Sequence, residues 1–306
     1  MSFTVTLTTV LVMLAYSIPG YLLVRFKKIP ASAISSFATM LVYVFTPFQI
    51  VYAMQQTEYS PYMMKYMGIS LVVGLGSMAG MLGIAYFITR KKQEQVPYRI
   101  CTSAVSLGNV GFIGLPLLQA LMPEYPQMQT FASMFFLSLN IIMWTLGSWL
   151  TTRDRRYMRI SKVFLNPATI AVVIGLGLML ARVQLTGQAG DMVALMGKMS
   201  TPMCMLILGM RLATVPIQSV FTSRLQYMAS ITKLVIFPLI VLGVLSLLPL
   251  ERDFVRGVYV LCCVPVGNLV LSFAEMLGEG QDVAANVVLL STILSMVTIP
   301  LMLLIV

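Results

Sequence analysis

Long uncharged stretches constrain the fold of this chain more than any other feature. Eight runs of 18 or more residues contain no Asp, Glu, Lys or Arg. A helix needs about 20 apolar residues to cross the ~30 Å hydrocarbon core of a bilayer, so each run predicts a membrane span. The runs are residues 1–24, 29–57, 66–89, 100–123, 125–152, 163–181, 257–274 and 283–306.

Two further apolar stretches carry one lysine each, and they bring the predicted number of spans to ten. They are about 191–211, with Lys198, and about 225–250, with Lys233. The composition, 58% apolar and 10% charged, lies outside the range of ordinary soluble domains. The first span lacks a basic leader and exceeds the length of a signal-peptide core, so we expect it to remain a span. The sequence predicts an all-α polytopic membrane protein without a separate soluble domain.

The basic residues are unevenly divided between the predicted connections. The odd-numbered connections hold 14 lysines and arginines, and the even-numbered ones hold 4. Cytoplasmic loops collect such residues, which predicts that the odd connections are cytoplasmic and both termini are outside the plasma membrane. We interpret the net charge of +10 as topology and contact with anionic lipid, not as a nucleic-acid surface. The odd connections are residues 25–30, 90–99, 153–162, 211–224 and 275–282.

Two dipeptides recur at nearly the same offset. Thr46-Pro47 and Thr201-Pro202 are 155 residues apart, and Gly108-Asn109 and Gly267-Asn268 are 159 apart. These matches predict a duplication of five spans, with residues 1–152 as the first repeat and 163–306 as the second. Because five is odd, the second repeat must enter the membrane from the opposite face, as in many transporters.

Spans four and nine contain helix-breaking residues near their middle. Residues 106–116 read SLGNVGFIGLP, and the ninth span contains VPVGN. Interrupted membrane helices persist where they line a polar cavity, and the positive ends of their half-helices suit an anion. The alternative is a kink that serves packing. The predicted substrate contacts are Gly108, Asn109, Gly267 and Asn268, and the predicted helix breakers are Gly111, Gly114, Pro116 and Pro265.

The ionisable residues exclude some mechanisms. All ten acidic residues lie in loops or near span ends, and the chain has no histidine. Ion exchange by a buried carboxylate pair and a membrane-embedded enzyme are therefore not expected. The four cysteines show no metal-like spacing, and we expect neither a metal ion nor a cofactor.

Lys233 and Lys198 are the predicted cationic partners of a substrate carboxylate. For Lys233 the alternative is a bond to backbone carbonyls freed by the break in span nine, and for Lys198 it is reaching to the outer interface. Thr46, Asn140 and Thr201 are further candidates for the cavity wall, with helix packing as the alternative. Gly76, Gly80 and Gly83 are expected to let helices approach closely.

Four segments closely resemble the auxin efflux carrier family, which comprises plant PIN-FORMED carriers and bacterial malonate- and malate-permease-like relatives. The resemblance covers essentially the whole chain. It rests on GNVGFIGLPLLQALM (108–122), LILGMRLA (206–213), TKLVIFPL (232–239) and VPVGNLVLSFAEMLGEGQDVAANVVLLSTILSMVTIPL (264–301).

The resemblance implies ten helices with crossed, broken helices four and nine, a scaffold domain, and a transport domain that moves like an elevator. It also implies a wider fold shared with bile-acid sodium symporters, and Lys233 matches the family's lysine-then-proline pattern in span eight. Two departures stand out. The long loop of many plant members is reduced to about ten residues here, 152–161. Asn268 stands where plant members typically carry an apolar residue, which points away from auxin as the substrate.

Together these features predict a secondary carrier of small organic anions, mono- or dicarboxylates, that binds at the crossing of spans four and nine. A sodium-coupled symporter of the bile-acid type and a ligand-sensing protein that does not translocate are the alternatives. Substrate, direction, coupling and oligomeric state, including a homodimer, are left open. The expected partners are the organic anion and the lipid bilayer.

Overall fold

The computed structural model describes residues 8, 11–12, 15–214, 220–221 and 223–306. Much of the first predicted span, residues 1–24, therefore lies outside the described residues. Across the described ranges the regular structure is helical, apart from one isolated bridge between Gly108 and Val266, which confirms the all-helical prediction. The α-helices are α1 (Ile18–Arg25), α2 (Ala33–Met40), α3 (Thr46–Gln55), α4 (Pro61–Thr89), α5 (Val96–Ala104), α6 (Leu115–Leu121), α7 (Gln127–Ile142), α8 (Ser148–Thr152), α9 (Ile160–Phe164), α10 (Pro167–Leu180), α11 (Gly187–Lys198), α12 (Ser200–Leu212), α13 (Arg224–Ile231), α14 (Phe237–Ser246), α15 (Arg252–Cys262), α16 (Leu269–Leu277) and α17 (Gln281–Met302).

Seven helical stretches in the described part of the chain are long and apolar enough to cross a membrane. The predicted fourth and ninth spans are not among them, because helix formation stops inside each. Helix α5 ends at Ala104 and helical structure resumes at Val110, while α15 ends at Cys262 and α16 begins at Leu269. The seven stretches are Ala33–Gln55, Pro61–Lys92, Gln127–Thr152, Arg155–Leu180, Gly187–Leu212, Arg224–Ser246 and Gln281–Ile305.

Wide π-helical turns precede three of the prolines. A proline lacks an N–H, and its ring clashes with the carbonyl four residues before it. A π turn shifts the preceding hydrogen bonds by one residue and so relieves this clash. Gly114 N–H, for example, donates to Asn109 O, five residues back, at 3.1 Å. These turns are Leu41–Phe45 before Pro47, Val110–Gly114 before Pro116, and Thr232–Ile236 before Pro238.

Pro116, which the sequence predicted to interrupt the helix, lies instead within one continuous helical stretch, Val110–Leu121. It comes just after the π turn, and this wide turn accommodates its ring and its missing N–H. The non-helical segment lies earlier, at residues 105–109.

The helices pack into two groups. The first helix group comprises α1, α2, α3, α10, α11 and α12, in which α1 packs on α12 and α3 packs on α10 and α11. The second helix group comprises α4 to α8 and α13 to α17, in which α4 packs on α7 and α13 packs on α17. The two groups meet where α7 packs against α3 and α10, and where α12 approaches the turn Val110–Gly114.

Glycines allow close helix approach at α1 and α12 but not in α4. A Cβ atom added to Gly20 or Gly209 would overlap a backbone carbonyl of the other helix. The predicted close approach at three glycines of α4 is wrong for the described residues, because an added Cβ would meet nothing within 4 Å. These three are Gly76, Gly80 and Gly83.

Two contacts join connections that are far apart in sequence, one between even-numbered connections and one between odd-numbered connections. Tyr62 Oη donates to Glu251 Oε2 at 2.6 Å, which joins the second predicted connection to the eighth. Gly280, in the ninth connection, packs against Ile100, at the start of the fourth predicted span. The second connection therefore contacts the eighth, and the ninth contacts Val96 of the third.

Candidate functional site

The two non-helical segments meet at one antiparallel β-bridge. Asn109 N–H donates to Pro265 O at 2.7 Å, and Gly267 N–H donates to Leu107 O at 2.8 Å. These bonds flank the bridge between Gly108 and Val266. Backbone groups that no helix satisfies are thereby paired with each other, as a low-dielectric interior requires. The structure thus brings together Gly108, Asn109, Pro265, Gly267 and Asn268, which are far apart in sequence.

Glycines allow a close approach where the segments cross. A Cβ atom on Gly267 would lie 3.0 Å from Gly108 O, and one on Gly108 would lie 3.1 Å from Lys233 Nζ. Within the π turn, a Cβ on Gly111 would lie 2.7 Å from Phe136 Cζ, and one on Gly114 would lie 3.2 Å from a methyl group of Leu261. The glycines therefore set how closely the segments and their neighbours approach.

A cavity of about 550 Å³ lies beside this crossing. Both predicted asparagines line it, Asn109 from the first segment and Asn268 from the second. Phe112, Leu208 and other large apolar side chains form much of the remaining wall. The polar side chains of the wall are Asn109, Cys204, Arg211, Thr214, Asn268, Asp282, Asn286 and Thr292.

Arg211 is the cavity residue that the sequence interpretation missed. It lies near the end of α12, and its Nη1 donates to Asn268 Oδ1 at 3.2 Å. Its Nε is buried and has no hydrogen-bond partner among the described residues. The sequence assigned Arg211 to a cytoplasmic connection by its basic charge alone. One signal was present, since Arg211 stands singly at the end of an apolar run, whereas most cytoplasmic basic residues are clustered.

A second cavity of about 480 Å³ adjoins the first. Arg211, Thr214, Asn268 and Leu271 line both cavities, so the Arg211–Asn268 pair stands between them. Two acidic residues lie at the edges, the exposed Asp282 on the larger cavity and Glu275 on the smaller one. Within the described ranges, no group of three or more Cys, Asp or Glu side chains is placed to hold a metal ion.

Lys233 lies behind the crossing and is fully buried. Its Nζ donates to Cys262 O at 2.8 Å and lies 4.5 Å from the centre of the Phe237 ring. Cys262 ends α15, so its carbonyl is one that the interruption leaves without a helical partner. In the structure Lys233 thus makes the bond that the sequence analysis gave as the alternative to a substrate contact, a hydrogen bond to a backbone carbonyl freed by the break.

The other predicted polar residues lie away from the cavity. Lys198 is exposed, with its Nζ 5.6 Å from the Tyr52 ring centre. Asn140 donates to Phe136 O and accepts from Asn166 Nδ2, both at 3.0 Å. Thr46 begins α3 and Thr201 lies in the first turn of α12. As far as the structure describes the chain, the wall of the 550 Å³ cavity contains none of these residues, Lys198, Asn140, Thr46 and Thr201.

Comparison with known proteins gives one family. The chain matches the family described as membrane transport protein over residues 4–162 and 152–303, which together span nearly its whole length. No curated protein matches the chain.

Proposed function

Because the chain belongs to the membrane transport protein family, the auxin efflux carrier family, we propose that it is a secondary transporter of small organic anions. The family is one of transporters and not of enzymes, and the apolar helices make the chain a multi-pass membrane protein. The observation that carries the proposal is Arg211, a guanidinium with a buried, unpaired Nε in a 550 Å³ cavity beside two asparagines.

The chemistry of this cavity suits a carboxylate. A guanidinium presents a planar fork of N–H donors that matches the two oxygens of a carboxylate. Asn109 and Asn268 add amide donors and acceptors, and the apolar wall can cover the remainder of a small molecule. Pockets of about 300 to 1,000 Å³ are typical for small ligands, and this cavity falls within that range. The cavity supports mono- or dicarboxylates as the substrate class.

We further propose ten spans arranged as an inverted repeat of residues 1–152 and 163–306. In this arrangement spans four and nine are each built from two short helices, α5 with α6 and α15 with α16. The antiparallel pairing of their non-helical segments supports a crossing at the middle of the membrane. The 14 to 4 division of basic residues supports cytoplasmic odd connections and outward termini in the plasma membrane.

An elevator-like movement is the proposed mechanism of transport. The cavity lies between Arg211 of the first helix group and Asn109 and Asn268 of the second. Two of these three residues and the crossing belong to the second group, so in this proposal the second group carries the anion past a static first group, and the contact with Arg211 is made only before the movement. Packing of α7 on α3 and α10 is the surface along which the second group slides.

The test is uptake of radiolabelled carboxylates into proteoliposomes, preceded by a thermal-shift screen of carboxylates on the purified protein. We expect an anion to raise the unfolding temperature and to accumulate in vesicles that contain the protein, relative to empty vesicles. Repeating both measurements with sodium replaced by choline, at two pH values, separates a sodium-coupled symporter from an uncoupled carrier. Binding without uptake would favour a ligand-sensing protein instead.

A further inference from the structure

The turns that end α1 and α10 have the same geometry. Lys27 follows α1 and Arg182 follows α10, and both residues are left-handed, with φ of 56° and 54°. In each turn the N–H of the next residue donates to the carbonyl five residues before it, at 2.9 Å. The two turns are 155 residues apart, which is also the offset of the two Thr-Pro dipeptides. This match supports the proposed repeat, and we call residues at this offset equivalent.

Helix packing follows the same offset. In the first helix group α1 packs on α12, and α10, the equivalent of α1, packs on α3, the equivalent of α12. A Cβ atom would overlap the partner helix at Gly20 of α1 and at Gly175 of α10, which are themselves equivalent. In the second group α7 and α17 begin 154 residues apart, at Gln127 and Gln281. The pair α3 with α7 therefore corresponds to the pair α12 with α17.

The two corresponding pairs are arranged differently. Helices α12 and α17 are separated by the 550 Å³ cavity, and α12 contributes Cys204, Leu208 and Arg211 to its wall. Helix α3 instead packs directly on α7, where Thr130 Oγ1 donates to Ala53 O at 3.2 Å. The structure therefore holds the α12 side open and the α3 side closed.

Gln49 lies on the closed side and is the equivalent of Cys204, which lines the open cavity. Its side chain is 4% exposed, and neither Nε2 nor Oε1 has a hydrogen-bond partner among the described residues. An amide buried without partners destabilises a fold, so packing alone would favour an apolar residue at this position. The unpartnered amide thus lies where the repeat places the wall of a second cavity.

We propose that Gln49 binds the transported anion in the opposite-facing state of the carrier. In that state α7 separates from α3 and α17 closes on α12, so the two pairs exchange their present arrangements. The equivalents of the three α12 wall residues then line the new cavity, and they are Gln49, Ala53 and Gln56. The moving crossing brings the anion to this wall, where Gln49 Nε2 donates to its carboxylate.

This inference rests on the proposed function and adds the residues of its second state. Arg211 has the neutral Gln56 as its equivalent, so the guanidinium holds the anion only on the side of the odd connections. Helix α3 leads into the second connection, and the new cavity therefore opens toward the even connections. Three side-chain hydrogen bonds that join α7 to the first group must break in the movement, namely Thr130–Ala53, Thr57–Thr130 and Asn140–Asn166.

The first test is cysteine labelling, which needs no substrate. Gln49→Cys should react with an impermeant maleimide added outside intact cells, because the second cavity opens there. Ile50→Cys is the matched control, since Ile50 is fully buried and its equivalent, Met205, is not among the described residues of the cavity wall. The wild type, with four buried cysteines, gives the background. Equal labelling of the two variants, in both intact and permeabilised cells, would overturn the inference.

A reversible lock tests whether that labelling depends on separation of α3 from α7. Thr57 Oγ1 and Thr130 Oγ1 lie 3.2 Å apart, so cysteines at these two positions are close enough to form a disulfide. Oxidation of this pair should abolish labelling of Gln49→Cys, and reduction should restore it, with the pair alone as background. Labelling that persists under oxidation would overturn the inference, because Gln49 would then be reached without the movement.

The second test measures uptake of labelled malonate and labelled benzoate by right-side-out membrane vesicles. In Gln49→Met we expect the KM to rise about tenfold through loss of a hydrogen bond to a charged group, and to rise less in inside-out vesicles. The unfolding temperature should stay the same or increase, because an unpartnered buried amide is removed. Gln226→Met is the control, since Gln226 is also buried with an unpartnered Oε1 and lies in the second group.

The outcomes separate the inference from the proposed function. A wild type that transports a probe, with an unchanged KM in Gln49→Met, overturns the role of Gln49 and leaves the carrier standing. A wild type that transports neither probe counts against the proposed function, and the labelling of Gln49→Cys then decides the inference by itself.

Discussion

At the residue scale, asparagines 109 and 140 show how the same side chain serves different purposes. Asn109 is 8% exposed and lines the cavity, whereas Asn140 bonds Phe136 O and Asn166. We expect Asn109→Ala to weaken anion binding by about 1 to 3 kcal/mol, the usual effect of leaving a buried polar group unsatisfied. Asn140→Ala should lower the unfolding temperature and leave the dissociation constant unchanged. Calorimetric titration and thermal unfolding of both variants measure the two effects.

Asn268→Ala extends that experiment to a double-mutant cycle. The effects of two residues that bind the same ligand are not independent. The loss of binding free energy in the double variant, Asn109→Ala with Asn268→Ala, should therefore differ from the sum of the two single losses. Independent losses, or full binding by both single variants, would place the substrate elsewhere and leave the crossing a matter of packing.

The two intramembrane lysines form a second matched pair. Lys233→Met leaves Cys262 O without its partner, so we expect a loss of about 1 to 3 kcal/mol in stability. At about 2 to 4 °C per kcal/mol, thermal unfolding resolves such a loss. Lys198→Met removes an exposed side chain and should change the unfolding temperature little. The same stability in both variants would contradict a structural role for Lys233.

The sequence predicted that Lys233 lies deep in its span but could not show which carbonyl it binds. Counting residues along a helix gives depth, whereas the direction of a side chain depends on neighbours from distant parts of the chain. The sequence likewise could not show the contact that Arg211 makes. Its place at the end of an apolar run suggests the interface, and only the fold brings Asn268, 57 residues further on, against it.

At the element scale, the crossing depends on backbone approach. A Cβ on Gly267 would lie 3.0 Å from Gly108 O, which belongs to rigid backbone. Gly267→Ala should therefore push the two segments apart, lower the unfolding temperature and weaken anion binding. Gly80→Ala, where an added Cβ meets nothing within 4 Å, should be neutral or stabilise α4 by about 1 kcal/mol through helix propensity. Thermal unfolding with and without anion tests both, and equal effects of the two substitutions would argue against a tight crossing.

Local sequence predicted that helix formation fails near Gly108, but not where. Glycines and a proline lower helix propensity throughout residues 108–116, yet the chain accommodates Pro116 with a π turn that continues directly into α6. The non-helical residues are those that pair with the other half of the chain. Since that pairing involves Pro265 and Gly267, no local pattern could have fixed the boundary.

At the scale of the whole molecule, the uneven basic charge predicts the orientation. Leu247, 85% exposed, directly follows α14 at the end of the eighth predicted span, next to an even connection, and Arg155 lies in an odd connection. An impermeant maleimide added to intact cells should label Leu247→Cys, and should label Arg155→Cys only after permeabilisation. The four native cysteines are buried and remain in place as a wild-type control for background labelling. The reverse pattern would invert the orientation.

The apolar runs were sufficient to predict a polytopic helical protein, since each long run has only one stable way to satisfy its backbone in lipid. The division into two helix groups was available from the family resemblance but not from composition. It depends on which helices pack together, such as α1 with α12 and α4 with α7, and apolar faces in lipid carry little information about their partners.

Helix α4 connects the protein to the thickness of its membrane. Its 29 residues give an axis of about 43 Å, well beyond the ~30 Å hydrocarbon core. The helix must therefore tilt or extend into the headgroups, at a fraction of a kcal/mol per Å of mismatch. Helix α4 packs along α7 within the second helix group. The free-energy cost of the mismatch therefore acts on the group that is proposed to move. In vesicles made from phosphatidylcholines of increasing acyl-chain length, uptake should pass through an optimum. A rate independent of chain length would mean that α4 keeps one position in the bilayer throughout transport.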